Sequence, residues 1–118
     1  MAEYIPSPRD WVREQVELYE SSGGTQGTTL RDTGLPVIIV THTGHKTGAT
    51  RKTPLMRVKV GESYVLIGSQ GGAPTHPAWV HNLRVNPAVE IRDRRLDPVD
   101  FSLRLLRCAV ALGCFIQL

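Results

Sequence analysis

Lys46, Thr47 and Arg51 sit in Gly44-His-Lys-Thr-Gly-Ala-Thr-Arg-Lys-Thr-Pro54, a glycine-punctuated basic turn between two strand-like runs. Cations and a hydroxyl among mobile backbone N–H groups are what a phosphate requires. A second segment, Gly68-Ser-Gln-Gly-Gly-Ala-Pro-Thr-His-Pro-Ala-Trp79, is a small-residue loop running into a helix start. Its glycines let a planar ring come close to the backbone. Together the two segments read as a pocket for an anionic, flat ligand. The ordinary alternatives are a solvated hairpin turn and a loop that needs glycine for positive φ. No acidic residue lies between Asp32 and Glu62, a window that holds Lys46, Arg51, Lys52, Arg57 and Lys59.

No protein nucleophile stands out. Ser69 is the one catalytic candidate and lacks the Gly-x-Ser-x-Gly elbow. Cys108 and Cys114 match no metal spacing, and no Cys/His cluster accompanies them. His76 and His81 are five apart rather than at i, i+4, so no metal is expected. His81 and Asn82 read as partners of a ligand edge or of a backbone group, and Trp79 as core. Phosphate binders without a nucleophile fit cofactor chemistry, in which the protein positions and the cofactor reacts.

These residues need elements to hold them. Pro8 to Ser21 reads as a helix with Trp11, Val12, Val16 and Tyr19 on one face, Ser7 as N-cap and Gly23-Gly24 as stop. Gly23 to Thr29 reads as a loose polar linker. Pro36-Val-Ile-Ile-Val-Thr41 is a buried strand, Thr53 to Val60 an alternating one, and Gly61-Glu62 a two-residue hairpin loop leading into Ser63 to Gly68. Pro77 to Val85 is a short helix ended by Asn86-Pro87, and Ala88 to Arg92 another strand. The fold class is mainly β (α+β): a small split antiparallel barrel with an N-terminal helix and a short inserted helix. The expected division is 1–29 helix and linker, 30–93 cofactor-binding core, and 94–118 an atypical apolar segment. Phe101 to Leu118 reads as a helix interrupted at Gly113.

The chain has 118 residues, a net charge of +3 and 41% apolar content, which bounds it to one modest domain. The charge and the scarcity of aromatics exclude a nucleic-acid binder. Met1-Ala-Glu-Tyr lacks signal-peptide character, and Cys108 to Leu118 is too short to span a bilayer. The cysteines read as small buried hydrophobes in a reducing compartment. Homo-oligomerisation would complete a small core.

The run Thr41 to Leu55, the Ser-x-Gly-Gly-Ala-Pro-x-His-Pro-x-Trp run Ser69 to Trp79, and His81-Asn82 with Asn86-Pro87 resemble the deazaflavin-dependent nitroreductase family of actinobacteria. The resemblance implies a split barrel of the flavin/deazaflavin oxidoreductase superfamily that binds coenzyme F-420 (8-hydroxy-5-deazaflavin). It implies that His45, Lys46, Thr47 and Arg51 hold the cofactor phosphate. Lys52, Thr53, Pro54, Leu55 and Met56 then line the path of tail and ring. Ile67, Gly68, Ser69 and Gln70 contact the deazaflavin, as do Ala78, Trp79, Val80, His81 and Asn82. The implied reaction is hydride transfer to a quinone or nitroaromatic acceptor, in the cytoplasm or peripherally at the inner face of the cell membrane.

The chain departs from the family pattern over Asp97 to Leu118, and it has no tyrosine beyond Tyr64, whereas family members that reduce nitroimidazoles carry tyrosines in a C-terminal segment over the substrate. Four rival readings follow: a reductase, a deazaflavin-binding protein without turnover, an FMN-binding split-barrel reductase, and a peripheral membrane module using Trp11 to Tyr19 and the apolar tail.

Overall fold

The computed structural model describes residues 3–29, 34–61, 63–68, 78–94, 99–102, 104–109 and 113–117. The first helix, α1, is Asp10–Ser21. Ser7 Oγ accepts from Arg9 N–H at 3.2 Å, but Arg9 is the N-cap residue and makes no side-chain cap, so the helix starts later than Ser7 and Pro8 predict. Its end is as expected: Gly23 and Gly24 take φ of 67° and 80°, and their N–H groups return to the carbonyls of Glu20 and Tyr19. The segment after it is not a loose linker. Gln15 Nε2 donates to the carbonyls of Gly27 and Thr29, folding the segment back along the helix.

Strand β1 (Val37–Thr43) pairs with β2 (Thr50–Met56) and with β5 (Ala88–Arg92), both antiparallel. Strand β3 (Lys59–Val60) pairs with β4 (Ser63–Gly68), and Gly61, just after β3, has φ 60°. Helix α2 is Ala78–Val85, and β6 (Val99–Ser102), β7 (Arg104–Ala109) and β8 (Gly113–Gln117) follow. Two four-stranded sheets result, ordered β2-β1-β5-β6 and β3-β4-β8-β7.

Two expectations are corrected here. The alternating run Thr53 to Val60 is not one strand. It breaks after Met56, where Arg57 N–H donates to Pro36 O and Val65 N–H to Val58 O, so the chain leaves one sheet and enters the other. The stretch Phe101 to Leu118 holds strands rather than a helix: β6 extends the first sheet beside β5, and β8 pairs with β4. Cys108 and Cys114 are register partners across β7 and β8.

Strand β1 separates two packed layers. Ile38 and Val40 face a core with Tyr64, Leu66, Trp79, Val80, Leu83, Val89 and Ile91. Val37 and Ile39 face the other way, onto Val16 and Tyr19 of α1. The apolar stripe of α1, which a membrane reading needs, is thus buried against β1. Among the described residues no helix is long and apolar enough to cross a membrane.

The Tyr19 hydroxyl lies within 3.4 Å of Val37 O and 3.3 Å of Arg92 O and accepts from Arg94 N–H, tying α1 to β1 and to the end of β5. Tyr19→Phe is expected to lower stability by about 1–2 kcal/mol, the scale of polar backbone groups left unpaired on burial. An unchanged urea midpoint would refute that role.

Candidate functional site

The loop Gly44–Ala49 closes on itself. Gly44 N–H donates to Ala49 O at 2.8 Å and Gly48 N–H to Gly44 O at 2.9 Å. Gly48 has φ 72°, a backbone that side chains resist, so glycine is required there. Thr47 Oγ1 accepts from Ala49 N–H at 3.2 Å, and its own proton remains available to donate. Among the described residues the amides of Lys46 and Thr47 donate to nothing. His45, Lys46 and Thr47 are exposed and Arg51 is half-buried. Neither Lys46 nor Arg51 has a carboxylate partner among the described residues. Two amides, a hydroxyl and two cations in and beside one turn, without acidic partners among the described residues, are a donor set of the kind an anion can take.

The β1–β2 register divides the remaining candidates. Directly opposed residues share a face. His42 opposes Arg51, Val40 opposes Thr53 and Ile38 opposes Leu55, all on the core face. Thr41 opposes Lys52, Ile39 opposes Pro54 and Val37 opposes Met56, all on the α1 face. Lys52 Nζ accordingly donates to both carboxylate oxygens of Glu20, at 2.6 and 2.7 Å, and sits 5.1 Å from the Tyr4 ring centroid. Lys52, Pro54 and Met56 are therefore apart from Arg51, Thr53 and Leu55.

In α2, Trp79, Val80 and Asn82 are buried, while Ala78 and His81 are exposed. Asn82 Oδ1 accepts from His45 N–H at 2.9 Å and contacts His45 Nδ1, and Asn82 Nδ2 meets His42 Nδ1 at 3.2 Å. The His45 and His81 rings are 6.1 Å apart. Strand β4 carries Ile67 and Gly68, whose side-chain surroundings lie outside the described residues, as do Ser69, Gln70 and the loop through Pro77.

Sequence reasoning missed His42. It is 4% exposed, bonds Thr53 Oγ1 through Nε2 at 3.0 Å, and its pKa is lowered to about 4, by burial first and by the Arg51 charge second. A polar residue in phase with Ile38 and Val40 on the core face was the available signal. Also missed was Asp93, which accepts from Arg57 Nε at 2.8 Å and Tyr64 Oη at 2.7 Å through the same oxygen. Burial pushes its carboxyl up, but these two hydrogen bonds and the Arg57 charge hold it below the usual range. Tyr64 is pushed up to about 12, by burial first and then by Asp93. A cleft of about 450 Å³ beside β1 and β5 is lined by Thr41, His42, Thr43, Thr50, Ala88, Val89 and Glu90. Its one carboxylate makes it unsuited to an anion.

Two antiparallel sheets opened at Arg57–Val58, with a basic turn at one end, define a split barrel. The chain belongs to the F420H(2)-dependent quinone reductase family, whose model matches residues 11–100. It is 40% identical over 81 residues to the F420H(2)-dependent quinone reductase of Mycobacterium tuberculosis and to its putative Mycobacterium bovis counterpart, covering 68% of this chain and 53% of each relative. The chain thus spans about half the length of the curated relatives it matches. Among solved structures it is similar to an F420-H2 dependent reductase, with TM-score 0.61 and 27% identity over 70% of this chain and 92% of that one. It is also similar to a protein described as a domain-swapped dimer, with TM-score 0.58 and 40% identity over 86% of this chain and 74% of that one.

Proposed function

We propose that this chain holds coenzyme F-420 by its anionic tail at the β1–β2 loop and serves as a reductase for a quinone. The observation that carries the reading is the pair of amides at Lys46 and Thr47 beside the cations Lys46 and Arg51, none of which has an acceptor or acidic partner among the described residues. That donor set fits a phosphate. Family membership supplies the deazaflavin and the quinone. When bound, the coenzyme supplies a hydride that a quinone or, as a lesser substrate, a nitroaromatic takes up. The chain's own residues bind and orient: the loop takes the charged tail, and the core face of β2 with α2 flanks the rest.

The test is a titration of purified protein into oxidised coenzyme F-420, followed by fluorescence, then oxidation of the reduced coenzyme with a soluble quinone. Saturable quenching with quinone-dependent oxidation is expected. Quenching without oxidation would reduce the function to binding, tighter binding of FMN would replace the cofactor, and no binding of either would sink the reading. Arg51→Ala is expected to weaken binding by about 1.5–3 kcal/mol, the scale of a charged hydrogen bond. Lys52→Ala, on the α1 face, is expected to change affinity by less than about 0.5 kcal/mol. Equal losses from both substitutions would contradict the division of faces.

Two finer points belong to the same reading. The 40%-identical domain-swapped dimer supports a homodimer, which light scattering would detect. Quinones dissolve in lipid, so the working protein contacts the inner face of the membrane peripherally. Among the described residues Ile5, Leu18, Leu35, Met56 and Val85 are exposed large apolar side chains, and vesicle flotation tests the contact.

A further inference from the structure

Asn82 of α2 is 6% exposed, and its side chain meets two histidines from the β1 hairpin. The protonation of both rings follows from one contact. The backbone N–H of His45 is a donor only, so the Asn82 atom it reaches must be the amide oxygen. The opposite atom is then the NH2 group, which must donate to His42 Nδ1. His42 therefore carries its proton on Nε2 and donates it to Thr53 Oγ1. His45 Nδ1 lies against the same Asn82 oxygen and must carry a proton to be there. In the neutral His45 ring the remaining nitrogen, Nε2, is then a lone pair on the ring edge away from Asn82, in an exposed residue next to Lys46. Among the described residues no donor meets that nitrogen.

We infer that Asn82 is a positioning residue that fixes neutral His45 as its Nδ1–H tautomer, so that His45 Nε2 accepts a hydrogen bond from a hydroxyl or N–H of the ligand beside the anion. The tautomer rests on the geometry alone, and the identity of the ligand rests on the function proposed above. Lys46 and Arg51 have no acceptors to offer. A site built from them alone recognises charge but not the hydroxyls near it. His45 adds that discrimination, and the buried amide keeps the ring from turning its proton outward. Such a site favours a polyol phosphate over a bare anion.

Nitrogen-15 spectra of the histidine rings of the full chain at pH 8, with His45→Gln for assignment, give the first readout. His45 is expected to be protonated on Nδ1 and His42 on Nε2. Asn82→Asp keeps an oxygen for His45 but removes the donor to His42, so His45 should keep its tautomer while His42 gains a proton on Nδ1. Asn82→Ala should release His45 to the Nε2–H form. Should that variant fail to fold, the wild type and Asn82→Asp still decide. A wild-type His45 protonated on Nε2 would overturn the inference. The second readout is affinity for coenzyme F-420. His45→Phe is expected to bind about tenfold more weakly, as for one lost hydrogen bond, and His45→Gln to recover part of the loss. Unchanged affinity in His45→Phe, with wild-type binding intact, would overturn the acceptor role. Wild-type protein that shows the expected tautomers but binds no coenzyme would sink the proposed function and the ligand clause together, and would leave the positioning role upheld.

Discussion

Asp93→Ala is expected to lose about 2–3 kcal/mol of stability, because a half-buried guanidinium and a buried phenol lose a shared acceptor. Asp93 is 4% exposed and stands just after β5. It takes hydrogen bonds from Arg57, where the chain passes between sheets, and from Tyr64 of β4. The carboxylate thus ties the end of β5 to the crossing between sheets and to β4. Without it a guanidinium and a phenol lose their acceptor. Tyr64→Phe removes one donor and leaves the ion pair, so it should cost about 1–3 kcal/mol. Urea denaturation at neutral pH measures both. A loss below about 1 kcal/mol for Asp93→Ala would mean that the packed core, rather than this pair, holds the sheets together.

Acid is expected to weaken the fold from the pH at which an ordinary imidazole titrates. The His42 pKa is lowered to about 4 in the folded chain, against 6.5 for an ordinary imidazole. The unfolded chain therefore takes up a proton that the folded chain refuses. The stability of neutral His42 is fully present above pH 6.5 and is lost as pH falls towards 4. By pH 4 the loss amounts to about 3 kcal/mol. Asp93, held below its usual range, acts in the same direction at still lower pH, as its carboxylate protonates. Urea midpoints from pH 7.5 to 4 give the slope, and His42→Gln should flatten it above pH 4. A slope that survives this substitution would assign the acid sensitivity elsewhere.

The legible parts of this fold are those whose cause is local. The hairpin from Val37 to Met56 is written as a β-branched run, a glycine turn and a second extended run, and α2 is closed by Asn86-Pro87. The break after Met56 was not legible, because Arg57 and Val58 continue the alternation of Thr53 to Val60. What bends the chain there is Pro36 and Asp93, distant in sequence. Phe101 to Leu118 is apolar without a period, and its strands form because β4 and β5 offer edges. Of the candidate site, the closeness of Lys46, Thr47 and Arg51 in one turn is readable from spacing, whereas His45 enters only through the family resemblance. The turning away of Lys52 was readable in principle from the two-residue repeat of a strand. The burial of Asn82 is marked by its place on a helix between Trp79 and Leu83, three and one residues away. Its pairing with His45 crosses 37 positions and no local rule reaches that far.

The alternation of β2 also restricts how this region can change over evolutionary time. Arg51 and Lys52 are neighbours with opposite assignments, one opposing His42 and the other paired with Glu20. A slip of β2 by one residue against β1 would exchange the two cations and turn Leu55 out of the core, whereas a slip of two would preserve every face. Residues gained or lost inside the turn leave the ladder as it is, so the constraint here falls on register rather than on the length of the turn.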